Sequence, residues 1–462
     1  MTFTPITPDH IAMLTQLAGA SNISVAQADR ELHSRDQSYH RGHPADVVIF
    51  GESAEQISRV VAYANSHRIP ITPWGVGTGL EGGAIPVHGG ISLSLERMTS
   101  IIAVHADDFQ VTVQAGLGHK DLNQQLAKYG LFFPPDPGAN ASIGGMLANN
   151  AAGIRTVKYG ASKDNVLKMQ VVLADGRIIE VGSRSVKQSS GYDLLHLFVG
   201  SEGTLGIITQ ATLKLVPIPQ HMSAMVVAFS DVESAVQAVV ALRGSGLDPA
   251  ALEFIDAEHC RLLREAEGIE LLDYPTLFIE FHAGQASWLG AGIEMASELC
   301  RDMGAVAIRA TTDNTERLRL WHARHHSYEI LVRANPNKKI LVMDVAVPIS
   351  AYPTLIAYIE SLRPTVPLQI TMVGHAGDGN IHVEFAYGDE SEFELAMACD
   401  HQIVKKALSL GGTATGEHGV GMGKAQFMPA EHGEAYDVMK TLKHALDPNN
   451  ILNPSKIFID EF

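Results

Sequence analysis

The chain has 462 residues, with 34 Lys and Arg against 51 Asp and Glu, a formal net charge of −17 with His neutral. Hydrophobic residues make up 46% and charged residues 18%, which supports packed cores and excludes disorder as the main state. An acidic chain without a Lys/Arg cluster lacks the basic surface that nucleic acid or anionic lipid demands.

The length predicts roughly two to four domains. No apolar stretch approaches the roughly 20 residues needed to span a bilayer; residues 340–349, for example, contain Asp344 and Pro348. Residues 1–10 carry neither a basic patch leading into an apolar segment nor an Arg-rich pattern, so neither a signal nor a transit peptide is expected. Cys260, Cys300 and Cys399 form no pairing or zinc-ribbon pattern. A cytoplasmic protein is the expectation.

Residues 5–35 read as a polar helical cover. A strand at 47–49, a helix at 53–66 with Ile57, Val60, Val61 and Ala64 at helical spacing, and a strand at 69–73 make a β-α-β unit. Strands follow at 90–95 and 110–115, then a helix at 120–129. The turn Ala174-Asp175-Gly176 joins strands 167–173 and 178–181 as a hairpin. Strands run on to Val216, and Pro217 and Pro219 mark a boundary near 220. Beyond it strands and helices alternate: 224–229, 234–242, 252–255, 276–281, 286–303 and 306–311. That rhythm predicts an α+β domain of ferredoxin-like type. A helix at 315–334, strands at 340–347 and 368–373 around a helix at 351–362, and a helical segment from 391 complete the chain.

The glycines concentrate in three stretches. Gly77-Thr78-Gly79-Leu80-Glu81-Gly82 has the form G-x-G-x-x-G. A dinucleotide-binding Rossmann unit requires a helix to start inside that motif. Here Gly82-Gly83 leads through Pro86 and Gly89-Gly90 into a strand, so that reading is rejected. Gly75, Gly77, Gly79, Gly82 and Gly83 nevertheless exceed what a turn needs, and exposed N–H groups in such loops form anion-binding nests. Residues 138–145 form a second such loop, and the third glycine stretch, 200–206, leads into strands. Two nests on one domain point to a large phosphate-bearing cofactor.

Two later clusters carry metal chemistry. In Gly374-His375-Ala376-Gly377-Asp378-Gly379-Asn380-Ile381-His382 two histidines flank a Gly-Asp-Gly turn between apolar strands, and a tight hairpin would bring their imidazoles together. Gly416-Glu417-His418-Gly419 adds a carboxylate and an imidazole. Two His and a carboxylate can hold a divalent metal with positions left open; two solvated turns are the other reading. Arg324, in Trp321-His322-Ala323-Arg324-His325-His326, offers the bidentate geometry a substrate carboxylate needs.

Residues 73–79, 137–153 and 200–206 resemble the FAD-binding (PCMH-type) domain of the vanillyl-alcohol-oxidase superfamily. With the G-H-x-G-D-G-N-x-H and E-H-G motifs included, most of the chain resembles the FAD-linked 2-hydroxyacid dehydrogenases. The resemblance implies an α+β fold: a helical segment (1–45), a two-subdomain FAD-binding domain (46–220), a ferredoxin-like substrate or cap domain (221–415), and a C-terminal segment (416–462) returning to the FAD domain. It implies FAD contacts from Pro73, Trp74, Gly75, Gly77, Thr78, Gly79, Leu80, Pro137, Gly138, Ser142, Gly145, Asn149, Gly153, Ile207 and Asn453. The first glycine loop lacks the His of covalent members, so the FAD is expected to be non-covalent.

The resemblance also implies Zn²⁺ or Mn²⁺ on His375, His382 and Glu417, with His418 as base and substrate contact, and Arg324 and Lys339 as carboxylate-binding cations. Asp378 and Asn380 are expected to form the turn, and His325 and His326 receive no role. Tyr328 and Glu384 depart from the hydroxyglutarate branch, which has a small hydroxyl residue and an Asn there. A carboxylate at 384 would repel a second substrate carboxylate. The expected reaction is thus oxidation of a D-2-hydroxy monocarboxylate, D-lactate first and glycolate next, to the keto acid. Electrons would pass to a cytochrome, quinone, electron-transfer flavoprotein or partner subunit rather than O₂. Peripheral membrane contact and a homodimer are compatible with the family. The competing readings are a metal-dependent hydrolase without flavin and a flavin-binding subunit with a degraded site.

Overall fold

A computed structural model of the chain describes residues 2–459. It divides into two compact units. One comprises Met1–Ala152, Gly160–Ile218 and Glu417–Phe462; the other comprises Gly153–Tyr159 and Pro219–Gly416.

The first unit holds two larger sheets and a two-stranded one, Leu131–Phe132 with Val216–Pro217. Strands Val47–Phe50, Ile91–Ser94 and Ile71–Trp74 pair in parallel, and the short strand Ile23–Ser24 adds antiparallel to Val47–Phe50. Helix Ala54–His67 makes the crossover connection that parallel pairing requires. Ser53 caps it, accepting from the Gln56 amide at 3.2 Å, and its buried stripe is Ile57, Val60, Val61 and Ala64. The second sheet is antiparallel, in the order Ile101–His105, Gln110–Gln114, Ile207–Lys214, Val166–Val172, Ile178–Gly182. Leu93, Val113, Leu147, Val171 and Leu213, fully buried, belong to the core that both sheets share.

The C-terminal segment is stitched into this unit by its backbone. The Ile71 amide donates to Ile451 O and the Asn453 amide to Ile71 O, both at 2.7 Å. The buried carboxylate of Glu202 accepts from the Val420 and Gly421 amides at 2.6 and 2.8 Å.

The second unit is built on one antiparallel sheet of seven strands. Its order is Ala305–Thr311, Ala224–Phe229, Thr276–Glu280, Ala251–Ile255, Gln369–Gly374, Asn380–Tyr387, Lys339–Ala346. In chain order the first four alternate with helices Val232–Gly244 and Ala286–Asp302 as βαββαβ, the ferredoxin-like pattern. Helices Ala257–Glu267, Asn314–His325 and Ser327–Ala334 contribute Leu263, Trp321 and Leu331 to a core with Ile255, Phe278 and Val373 of the sheet.

Three features differ from the sequence reading. The expected helix 315–334 is two helices, because the backbone at His326 leaves the helical region (φ −100°, ψ 16°). The N-terminal cover contributes a strand, Ile23–Ser24. Residues Gly153–Tyr159, within the span 46–220 expected for the cofactor domain, belong to the second unit. There Tyr159 hydrogen-bonds His282 at 2.7 Å, and Gly377 leaves the space that the Val157 side chain approaches.

Candidate active site

The glycine loops converge on a cleft in the first unit. Pro73, Trp74, Gly75, Gly77, Thr78, Gly79 and Leu80 line it, as do Pro137, Gly138, Ser142, Gly145, Asn149, Ile207 and Asn453. Gly153 does not. It belongs to the other unit, with φ 157° and its amide donating to Thr156 Oγ1. No helix starts in the first loop, which runs irregularly from Trp74 to Ile91. The second loop does start one: Ser142 caps helix Ile143–Asn149, accepting from the Gly145 amide at 3.3 Å.

The glycines are required where the loops touch. A Cβ on Gly75 would stand 2.5 Å from Ser142 Oγ. Gly77 has φ 67°, and a Cβ there would meet the Trp74 ring at 2.8 Å. The loops thus expose main chain to the cleft where side chains would fill it, which suits a bulky phosphate-bearing cofactor.

Asn453 sits at φ 42°, and its amide nitrogen donates to Glu202 O at 2.7 Å and Gly83 O at 3.0 Å, tying the C-terminal segment to two of the glycine stretches. Glu417 and His418 line the same cleft, and the His418 carbonyl accepts from Asn149 Nδ2 at 3.3 Å.

In the second unit the predicted hairpin is present. Strands Gln369–Gly374 and Asn380–Tyr387 pair antiparallel across the turn Ala376–Asp378, and Gly379 takes φ 72°. The His375 and His382 ring centroids are 5.3 Å apart and nearly perpendicular (87°), and both residues are buried. Asn380 braces the strand instead of solvating the turn: its side chain donates to Asp344 Oδ1 at 2.6 Å and Val345 O at 2.9 Å.

Two buried carboxylates that the sequence reading passed over support the pair. Asp344, in strand Lys339–Ala346, stands directly across from His382 and accepts from the Thr415 hydroxyl at 2.8 Å and the Gly416 amide at 2.7 Å. That bond fixes the peptide immediately before Glu417. Glu253, in strand Ala251–Ile255, lies 2.9 Å from His375 Nδ1 through both oxygens and accepts from Arg324 Nη2 at 2.5 Å. Burial alone would raise its carboxyl, but His375 and Arg324 outweigh burial and hold it below the ordinary range. The one signal for each in the sequence was an acidic residue inside an apolar strand.

Arg324 is accordingly buried and held by one nitrogen of its fork, with other donors left over. Lys339 is exposed and pairs across from Tyr387. It lies five residues from Asp344, roughly 16 Å along the strand and on the opposite face. Strand alternation thus places Lys339 on the face opposite Asp344 and His382. His325 and His326 bond back to Trp321 O and His322 O of their own helix. Glu384, two residues beyond His382, is buried against the Thr371 hydroxyl (3.0 Å) and His259 Nε2 (3.3 Å). Tyr328 is near enough to this carboxylate that burial and Glu384 together raise its phenol.

Comparison with known proteins agrees with the two halves. Residues 45–182 match the FAD binding domain family, and residues 218–457 match the C-terminal domain of the FAD linked oxidases. The chain is 40% identical to a probable mitochondrial D-lactate dehydrogenase of Danio rerio, over 97% of this chain and 91% of that protein. It is 36% identical to glycolate oxidase subunit GlcD of Bacillus subtilis, over 98% and 97%. Among solved structures, p-cresol methylhydroxylase superposes with a TM-score of 0.82 at 17% identity, covering 99% of both chains, which shows the shared fold.

The fold and cleft define an FAD-binding oxidoreductase of PCMH type. More narrowly, the chain belongs to the FAD-linked 2-hydroxyacid dehydrogenases.

Proposed function

We propose that this enzyme oxidises a D-2-hydroxy monocarboxylate, D-lactate first, to its 2-keto acid, using non-covalent FAD and a divalent metal. The observation that carries the metal is the hairpin pair. His375 and His382 stand with ring centroids 5.3 Å apart, and Glu253 engages Nδ1 of His375, so Nε2 is the nitrogen assigned to the cation. Glu417 is the third ligand, following directly on the Gly416 peptide that Asp344 fixes beside the hairpin strands. Two imidazoles and a carboxylate suit Zn²⁺ or Mn²⁺.

When bound, the metal supplies charge that acidifies the substrate hydroxyl, and FAD supplies a two-electron acceptor. The substrate loses a hydride from Cα and a proton from its hydroxyl. His418 takes the proton; its backbone is held by Asn149. Arg324 orients the substrate carboxylate with the donors that Glu253 leaves over. Glu384 sets the preference for a substrate with one carboxylate. Electrons then leave to a carrier protein or quinone; relatives named D-lactate dehydrogenase [cytochrome] in Arabidopsis thaliana and Saccharomyces cerevisiae support a cytochrome.

Metal analysis joined to turnover tests the reading. Wild-type protein is expected to carry about one metal per chain and to lose D-lactate turnover with chelator. His375→Ala should lose both metal and turnover by about 10³-fold or more while keeping its FAD. Unchanged turnover in His375→Ala would show the metal reading to be wrong.

A further inference from the structure

Strand Ala251–Ile255 is buried throughout, and the side chain of its middle residue, Glu253, is only 1% exposed. A carboxylate so placed is expensive unless every lone pair is used. Its two oxygens meet two groups: Nδ1 of His375, 2.9 Å from each, and Nη2 of Arg324, 2.5 Å from Oε2.

The chemistry of this contact is directional. An ionised carboxylate only accepts, so the ring nitrogen facing it carries the proton. The lone pair of His375 is then on Nε2, the nitrogen turned away from Glu253. Such a carboxylate also orients the ring and strengthens the imidazole as a ligand. Arg324 neutralises the carboxylate in the low-dielectric interior, and the same bond removes rotational freedom from its guanidinium.

We infer that Glu253 is a positioning residue. By accepting from both His375 and Arg324 it sets, from one buried point, the ligating nitrogen of the metal site and the cation that orients the substrate. The inference rests on the metal reading proposed above. Glu253 touches neither substrate nor metal in this role and acts through its two partners. If it served only to satisfy Arg324 within the core, its removal would lower stability and leave metal affinity alone.

The test uses FAD-loaded, metal-stripped protein titrated with Co²⁺, followed by calorimetry and by the visible cobalt spectrum, in wild type, Glu253→Gln, Glu253→Asp and His375→Ala. Gln keeps the shape but turns one acceptor into a donor, so it cannot serve both partners. It is expected to weaken Co²⁺ binding by about 10- to 100-fold and to alter the cobalt bands, with FAD content kept. Asp keeps the charge but is one methylene short, and should weaken binding by a smaller factor; it carries the test if the Gln variant does not fold. Equal affinity and spectra in wild type and a folded Glu253 variant overturn the inference. Absence of Co²⁺ binding in wild type, or binding that survives His375→Ala, overturns the metal reading itself and the inference with it.

Discussion

Replacing Glu384 by Gln tests why a substrate with a second carboxylate is disfavoured. Glu384 and His382 are two apart on strand Asn380–Tyr387, hence on the same face and about 7 Å apart along it. The Glu384 carboxylate is 2% exposed, so water does little to screen it. Two unit charges about 7 Å apart at an effective dielectric of about 20 repel by roughly 2.4 kcal/mol, a factor of about 60 in rate or affinity. The neutral amide keeps the volume, and its oxygen still accepts from Thr371. The ratio of kcat/KM for D-lactate to that for D-2-hydroxyglutarate should therefore fall by about 10- to 60-fold in the variant, through a gain on the dicarboxylate. Anaerobic dye reduction with each acid measures it. A ratio unchanged in a folded, FAD-bearing variant would refute the electrostatic account of selectivity.

Other perturbations read other parts of the account. Gly416→Ala would place a Cβ 2.2 Å from Asn380 Nδ2, displacing the peptide before Glu417; metal content and turnover should fall with FAD retained. Gly77→Ala forces a side chain into φ 67° and against Trp74, costing about 1–3 kcal/mol and loosening FAD; melting temperature and the flavin-to-protein absorbance ratio report it. Lys456 is buried with Nζ on Ile85 O, and burial, opposed by Glu202 and Asp36, lowers it from 10.5 to about 8. The folded state thus holds fewer protons than the unfolded one between pH 8 and 10.5, and wild-type stability should rise across that window. The rise amounts to about 3 kcal/mol relative to Lys456→Met, in denaturant unfolding at pH 7 and pH 10.5.

The sequence makes plain what local rules dictate. The β-α-β unit around Ile57 to Ala64, the turn at Asp175-Gly176 and the hairpin that brings His375 to His382 follow from periodicity and glycine placement. So does rejection of a Rossmann loop, since no helix starts between Gly77 and Ile91. What escapes is set by tertiary pairing. Glu253 and Asp344 sit in apolar strands whose pattern says only that they are buried; their partners come from 71 and 122 residues away for Glu253 and from 36 to 72 for Asp344. Lys339 is placed by the family resemblance, and only the strand register shows which face it takes. Residues Gly153–Tyr159 change units because Arg155 and Tyr159 meet Glu280 and His282, a contact no local pattern announces.

The most direct test of the central claim is anaerobic bleaching of the flavin absorbance near about 450 nm, a property of the cofactor itself. D-lactate, L-lactate, glycolate and D-2-hydroxyglutarate are added in turn, with and without chelator. The account predicts rapid bleaching by D-lactate, little by L-lactate or the dicarboxylate, and none once the metal is removed. A flavin-bearing protein that none of these acids bleaches, or that D-lactate bleaches equally well after chelation, would contradict it.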